Sequence, residues 1–187
     1  MLKRLPLFPI NTAVNDRGHL VIGGCDTVEL ADEFGTPLYL YDELTLRSIC
    51  REFKEEFGKR YPNVQIVYAS KAYSNSALLR LINKEGLGLD VVSEGELGIA
   101  KSANFPMKNV YFHGNNKSLR ELELALKWHV GHIVADNFHE LEMLDKLTQE
   151  LSVKQDILLR MTPGVDPHTH RYTSTGSLDS KFGFPQP

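Results

Sequence analysis

Val64-Gln-Ile-Val-Tyr68 is followed by a second run, Gly88-Leu-Asp-Val-Val92, and both are short and rich in β-branched residues. Runs of this kind favour strands. Similar runs recur about 20 to 25 residues apart, a spacing typical of repeated strand and helix units. The sequence therefore predicts parallel strands joined by helices, and the expected strands are 38–41, 64–68, 88–92, 109–112, 132–135 and 156–160.

The segments between these runs have helical periodicity. Apolar residues recur three or four positions apart, which predicts helices with one apolar face. Examples are Leu46, Ile49, Cys50, Phe53 and Phe57, and later Leu119, Leu122 and Leu126. Three of the segments open with a capping side chain three residues ahead of a glutamate that can reach back. The capping pairs are Ser93 with Glu96, Ser118 with Glu121 and Asn137 with Glu140.

Two architectures fit alternating strands and helices. A closed barrel of eight such units needs about 250 residues, more than the 187 of this chain. A doubly wound open sheet would fit the length, but no Gly-x-Gly-x-x-Gly follows the first strand. Residues 1–36 lie outside the repeat, and Val21-Ile22 and Val28-Glu29-Leu30 are expected to form weak strands there.

The composition is that of an ordinary globular protein. Hydrophobic residues make up 42% and charged residues 24% of the chain, and the formal net charge of -3 argues against a nucleic-acid or anionic-membrane partner. Pro6 and Pro9 interrupt the N-terminal apolar stretch, so it does not resemble a signal peptide. Cys25 and Cys50 are the two cysteines, which favours a reducing compartment and hence a cytoplasmic location.

Lys71 is the first candidate for chemistry. It follows the run that ends at Ala69, so it should lie at the carboxyl end of a parallel strand, where α/β sheets build their active sites. A neutral lysine amine there could attack an aldehyde, although a lysine after a strand is more often a solvated loop residue. Position alone therefore leaves both roles open.

The sequence segments around Lys71 resemble those of a known enzyme family. Tyr68-Ala-Ser-Lys71-Ala, preceded by Phe34-Gly-Thr-Pro-Leu-Tyr-Leu-Tyr-Asp42, resembles the opening of the fold-type III, alanine racemase-like pyridoxal-phosphate enzymes. Further segments are similar to the diaminopimelate decarboxylase branch of that family, in the same order along the chain. They are Gly88 to Leu97, His113-Gly-Asn-Asn-Lys117, Thr162 to His170 and Thr175 to Gly183.

This resemblance implies a fold and a set of roles. The fold would be a partial TIM-type (β/α)8 barrel over residues 37–187, with residues 1–36 contributing to a β domain. The cofactor would be pyridoxal 5'-phosphate, anchored on Lys71, with Asp90, His113 and Arg160 as further cofactor-binding residues. Lys181 would lie near a subunit interface, since members of the family form homodimers. These residues stand at or just after predicted strands, except for Lys181.

The activity implied by the resemblance is decarboxylation of meso-2,6-diaminopimelate to L-lysine and CO2, the last step of lysine biosynthesis. Members of the family continue well beyond the end of this sequence, so the chain is expected to be a fragment. The alternatives are a non-catalytic homologue that binds pyridoxal phosphate, a decarboxylase of another basic amino acid, and a metal-dependent barrel hydrolase. His168 and His170 have the spacing of two metal ligands, but two histidines are half a site, and no metal is expected.

Overall fold

The computed structural model describes residues 7–165 and 182–185. The chain divides between Val64 and Gln65 into two compact units. None of the helices in the described ranges has both the length and the apolar character needed to cross a bilayer.

The first unit begins with a small antiparallel sheet. Its strands are β1 (Ala13–Val14), β2 (Leu20–Ile22) and β3 (Cys25–Asp26), in that order. Two helices follow, α1 (Thr27–Phe34) and α2 (Glu43–Gly58).

Two strands expected in this unit are wrong. Val28-Glu29-Leu30 lies in helix α1, because the Asp26 side chain accepts hydrogen bonds from the backbone nitrogens of Val28 and Glu29 and so caps a helix. Residues 38–41 are not in any sheet of the described structure. Their alternating leucines and tyrosines favour a strand, but a strand forms only where a neighbouring backbone supplies the hydrogen-bonding ladder.

The second unit is built on a parallel sheet. Five strands pair in the order in which they occur along the chain, and a helix follows each of the first four. The strands are β4 (Val67–Ala69), β5 (Gly88–Val91), β6 (Val110–Phe112), β7 (His132–Ala135) and β8 (Ile157–Leu159). The helices are α3 (Ser76–Lys84), α4 (Glu94–Ser102), α5 (Leu119–Lys127) and α6 (Phe138–Leu151).

The strand order distinguishes the two expected architectures. A doubly wound sheet reverses its order at a switch point, whereas strands of a barrel succeed each other around the sheet. All the neighbours among β4 to β8 are parallel and consecutive. After Arg160, β9 (Met161–Thr162) pairs in parallel with β10 (Phe184–Pro185). This is the arrangement of a partial α/β barrel, as expected.

The two faces of the sheet differ in burial. Leu89, Val91, Phe112 and Ile133 are fully buried and alternate along the strands with the residues of the other face. That other face carries Asp90, Tyr111 and His132, which are partly exposed. The buried face forms the core with helix residues such as Leu79, Leu97 and Leu122. The polar face is therefore the one that can offer side chains to a ligand.

The capping residues expected from the sequence are confirmed. Ser93, Ser118 and Asn137 each accept a hydrogen bond from the backbone nitrogen of the glutamate three positions on. Only in the Ser118 helix, among these three, does the glutamate complete the capping box by accepting from the cap residue itself.

Each capping glutamate also joins two successive strand–helix units. Glu96 accepts from the backbone nitrogen of Val92 in its own turn and from the Ser70 hydroxyl in the unit before. Glu121 accepts from Ser118 in its own turn and from the backbone nitrogen of Glu94 in the preceding unit. Glu140 accepts from the backbone nitrogen of Asp136 and pairs with Lys117 of the preceding unit.

Candidate active site

Lys71 lies immediately beyond the carboxyl end of β4. It belongs to a short 3-10 helix, Ser70–Ala72, and its side chain is exposed. The neighbouring Ser70 is buried and its hydroxyl donates to Glu96, which holds the backbone beside Lys71. The structure therefore places a lysine amine at the sheet edge expected from the sequence, on a backbone fixed by its neighbour.

Asp90 lies on β5, where Ala69 of β4 is its partner across the ladder. Burial raises the pKa of the Asp90 carboxyl to about 6; the Lys71 cation opposes this rise and the Glu96 carboxylate adds to it. One carboxyl oxygen, Oδ1, is buried and has no hydrogen-bond partner within the described residues. A buried oxygen of this kind costs free energy unless a ligand group satisfies it.

His113 directly follows β6, and its backbone nitrogen donates to Val91 O at 2.8 Å. Its Nε2 lies 3.8 Å from Asp90 Oδ1, too far for a hydrogen bond. Burial lowers the pKa of the imidazole, and the nearby cations Arg160, Lys117 and Lys71 lower it further. The lowered pKa favours the uncharged ring, which can stack on a planar ligand or share a proton with one.

Arg160 directly follows β8, and two groups hold its guanidinium. Nη1 donates to Asp136 Oδ1 at 3.0 Å, and the guanidinium carbon lies 4.4 Å from the centre of the Phe182 ring. The Gly183 backbone nitrogen donates to the other oxygen of Asp136 at 3.1 Å. A planar fork of donors fixed in this way suits a carboxylate or phosphate group.

Asp136 is a site residue that the sequence reasoning missed. It is 2% exposed, follows β7 at its carboxyl end and holds Arg160. The rule that selected Lys71, a polar residue directly after a strand, would have selected Asp136 as well. The position of Asp136 directly after a predicted strand was therefore enough to make it a candidate site residue.

A buried ion pair lies next to this group and was not predicted either. Lys117 Nζ is 2.8 Å from Glu140 Oε1, and both side chains are at most 2% exposed. Burial lowers the pKa of Lys117, while Glu140 raises it. The two residues stand 23 positions apart, a separation with no helical or strand period.

Two sequence expectations lie outside the described residues: the interface residue Lys181 and the histidines His168 and His170. Within residues 7–165 and 182–185 no cluster of three or more potential metal ligands occurs.

The residues brought together here fit pyridoxal phosphate. Lys71, Asp90, His113 and Arg160 lie on or just after β4, β5, β6 and β8, near the carboxyl ends of these strands and close enough to influence one another's charge. An amine for the aldehyde, an unpartnered carboxyl oxygen, an uncharged imidazole and a fixed guanidinium match the polar groups of such a cofactor. The buried Asp90 oxygen is the observation that most requires a ligand.

Comparisons with known proteins identify relatives of this chain. Diaminopimelate decarboxylase of Bacillus methanolicus is 54% identical over 92% of this chain and 40% of its own length. That of Bacillus subtilis is 51% identical over 91% of this chain and 39% of its own length. The crystal structure of the M. jannaschii diaminopimelate decarboxylase with L-lysine has a TM-score of 0.81 and 37% identity, covering 94% of this chain and 41% of that chain.

The chain thus spans about 40% of the length of the curated relatives that it matches. The structural likeness confirms the partial barrel of the fold-type III decarboxylases. The family described as pyridoxal-dependent decarboxylase, pyridoxal binding domain, matches residues 45–186. With the fold and the lysine-bearing site in agreement, the chain belongs to the pyridoxal-dependent decarboxylase family.

Proposed function

We propose that this chain is the pyridoxal-phosphate-binding part of a diaminopimelate decarboxylase, which converts meso-2,6-diaminopimelate to L-lysine and CO2. The observation that carries the proposal is the convergence of Lys71, Asp90, His113 and Arg160 near the carboxyl ends of the barrel strands. Support for the substrate comes from two relatives that bear this name at more than 50% identity and from a similar structure that holds L-lysine.

Each residue has a role under this proposal. Lys71 Nζ would hold pyridoxal phosphate by its aldehyde group, at the carboxyl end of β4. When bound, pyridoxal phosphate supplies an electron sink for the electron pair left by the departing carboxylate. The Arg160 guanidinium, held by Asp136, orients an anionic group of cofactor or substrate.

Asp90 and His113 would set the proton balance of the site. At pH 7 most Asp90 carboxyls are ionised, since burial raises the pKa only to about 6. A cation from the cofactor or substrate would therefore be stabilised beside Asp90 Oδ1. The uncharged His113 ring, 3.8 Å away, can contact a planar ring without repelling that cation.

The same proposal extends to the assembly. Residues 1–36, which contain the small antiparallel sheet, would contribute to a β domain, and residues 37–187 to an incomplete TIM-type barrel. Lys181 would lie at a homodimer interface. A cytoplasmic location fits a biosynthetic enzyme whose chain carries two cysteines, Cys25 and Cys50.

The test is trapping of the cofactor. The purified chain is mixed with pyridoxal phosphate, reduced with borohydride and mapped by peptide mass spectrometry. Lys71 should carry the label, Lys71→Ala should abolish it, and Lys84→Ala, a change at the far end of helix α3, should leave it intact. Labelling spread equally over surface lysines would contradict the proposal.

Substrate choice needs a separate measurement. CO2 release is measured with meso-diaminopimelate, L-ornithine and L-arginine in parallel. Release from diaminopimelate alone is expected. Release from ornithine or arginine would point to a decarboxylase of another basic amino acid. A Lys71-bound cofactor with no release from any of the three would favour a non-catalytic homologue.

A further inference from the structure

The ion pair between Lys117 and Glu140 is enclosed more fully than an ordinary salt bridge. Three oxygens surround the ammonium group: Glu140 Oε1 at 2.8 Å, Gly114 O at 2.6 Å and Val134 O at 2.9 Å. The ammonium group donates hydrogen bonds to the two backbone carbonyls, and its remaining side faces the Glu140 carboxylate as an ion pair. The pair is therefore built as a closed polar unit inside the protein.

Burying such a pair gives little stability by itself. The cost of removing both charges from water is comparable to their attraction, and apolar residues of similar size often replace buried pairs without loss. A buried ion pair is better explained by a role in selecting one arrangement of the groups around it. What Lys117 and Glu140 fix is shown by their other contacts.

On one side, Lys117 fixes the turn that carries His113. Gly114 O, which accepts from Lys117, belongs to the residue that follows His113 in the chain. Val134 O, the other carbonyl acceptor, belongs to the neighbouring strand β7. Lys117 thus ties the backbone beside the imidazole to the next strand of the sheet.

On the other side, Glu140 fixes the support of Arg160. Its Oε2 accepts from the Asp136 backbone nitrogen at 3.2 Å. The Asp136 carboxylate in turn holds Arg160 Nη1 at 3.0 Å and the Gly183 backbone nitrogen at 3.1 Å. A continuous series of contacts therefore runs from the turn of His113 through the buried pair to the guanidinium.

We propose that Lys117 and Glu140 are positioning residues that hold the His113 imidazole and the Arg160 guanidinium in register at the cofactor site. Neither residue touches the cofactor, and both act through the backbone and through Asp136. This inference rests on the proposed function, because it assumes that His113 and Arg160 contact pyridoxal phosphate.

The test replaces the pair by apolar residues of similar size, Lys117→Met with Glu140→Leu, in the full chain. The control is Lys127→Met with Glu123→Leu, which removes an exposed ion pair of helix α5. Affinity for pyridoxal phosphate is measured by absorbance titration, visible circular dichroism at saturation reports the orientation of the bound cofactor, and thermal melting reports folding.

The buried double variant should unfold cooperatively at a somewhat lower temperature than the wild type, because the Asp136 nitrogen loses its acceptor. It should bind pyridoxal phosphate about ten-fold more weakly, with a reduced visible dichroism band. The exposed double variant should match the wild type in all three measurements. A folded buried variant with wild-type affinity and dichroism would overturn the inference. Absence of Lys71-dependent binding in the wild type would instead reject the proposed function.

Glu140→Gln is the second variant. It keeps the size of the side chain and an acceptor for the Asp136 nitrogen but removes the charge that faces Lys117. We expect a smaller loss of affinity with the same change in dichroism. Unchanged binding in this variant would overturn the inference, and so would failure of both variants to fold, because the pair would then serve the fold itself.

Discussion

Gly131→Ala adds one methyl group to the second unit and should destabilise it strongly. A Cβ at Gly131 would lie 2.0 Å from Lys108 O and 2.7 Å from the carbonyl carbon, whereas ordinary contacts begin at 3.4 Å. The φ of Gly131 lies outside the left-handed region, so the clash is the only obstacle to alanine. Gly131 N also donates to Met107 O at 2.9 Å, which holds the two backbones together.

The expected loss of stability depends on which atoms must move to make room for the methyl group. Excess volume in a packed region costs about 1–3 kcal/mol when side chains can adjust. Here the obstacle is the backbone of Lys108, and separating the two backbone segments would also lose the hydrogen bond from Gly131 N to Met107 O, worth about 1 kcal/mol. We therefore expect Gly131→Ala to lower the free energy of unfolding by at least about 3 kcal/mol.

The matched control is Gly98→Ala in the middle of helix α4. No atom outside the helix backbone lies within 4 Å of a Cβ there, so the change should stabilise the chain by about 0.5–1 kcal/mol. Equilibrium urea unfolding is followed by circular dichroism and by the fluorescence of Trp128, the single tryptophan. A Gly131→Ala protein within about 1 kcal/mol of wild type would refute the steric reasoning.

Three further predictions concern the site and its supports. Asp90→Asn should flatten the pH dependence of stability. The folded chain binds the Asp90 proton up to about pH 6 and the unfolded chain only to about pH 4, so wild-type stability falls as the pH rises through that window. Solvent screens this half-buried carboxyl, so we expect a fall of about 1–2 kcal/mol in urea unfolding at several pH values. Ser118→Ala should cost about 1 kcal/mol in urea unfolding, because it removes the capping box of helix α5. Gly183→Ala should weaken pyridoxal phosphate binding in a titration, because its Cβ would lie 2.6 Å from Arg160 O and its φ of +74° disfavours alanine.

Each of these has a contrary outcome. An Asp90→Asn protein with the wild-type pH slope would show that another group titrates in that window. Ser118→Ala with unchanged stability would mean that the capping hydrogen bonds exchange for water without cost. For Gly183→Ala the control is Gly24→Ala, which has a similar φ of +83° but open space around its Cβ; equal effects of the two on cofactor binding would count against a local clash.

Local patterns predicted the second unit well. Alternation and β-branched residues located its strands to within a few residues, and the capping pairs located the starts of three helices. Because carboxyl ends of parallel strands share one edge, the neighbourhood of Lys71, Asp90 and His113 followed from the strands alone. The resemblance to known enzymes supplied their roles, which position could not.

What failed depended on contacts between distant parts of the chain. Residues 38–41 have the composition of a strand, yet no sheet of the described structure includes them. The segment at Val28 is an exception, because the helix there is capped by the side chain of Asp26, only two residues earlier, and the strand prediction overlooked this local signal. The pairing of Lys117 with Glu140 joins two different strand–helix units, and no local pattern marks such a contact.

The capping glutamates bear on how the barrel forms during synthesis. Each one bonds its own turn and a group in the unit made just before it, and each new strand pairs with the strand made just before it. Contacts of this kind connect parts of the chain separated by about one unit, so loop closure costs little at each step. The sheet can therefore grow one unit at a time in the direction of translation, with a glutamate joining each new unit to the one before it.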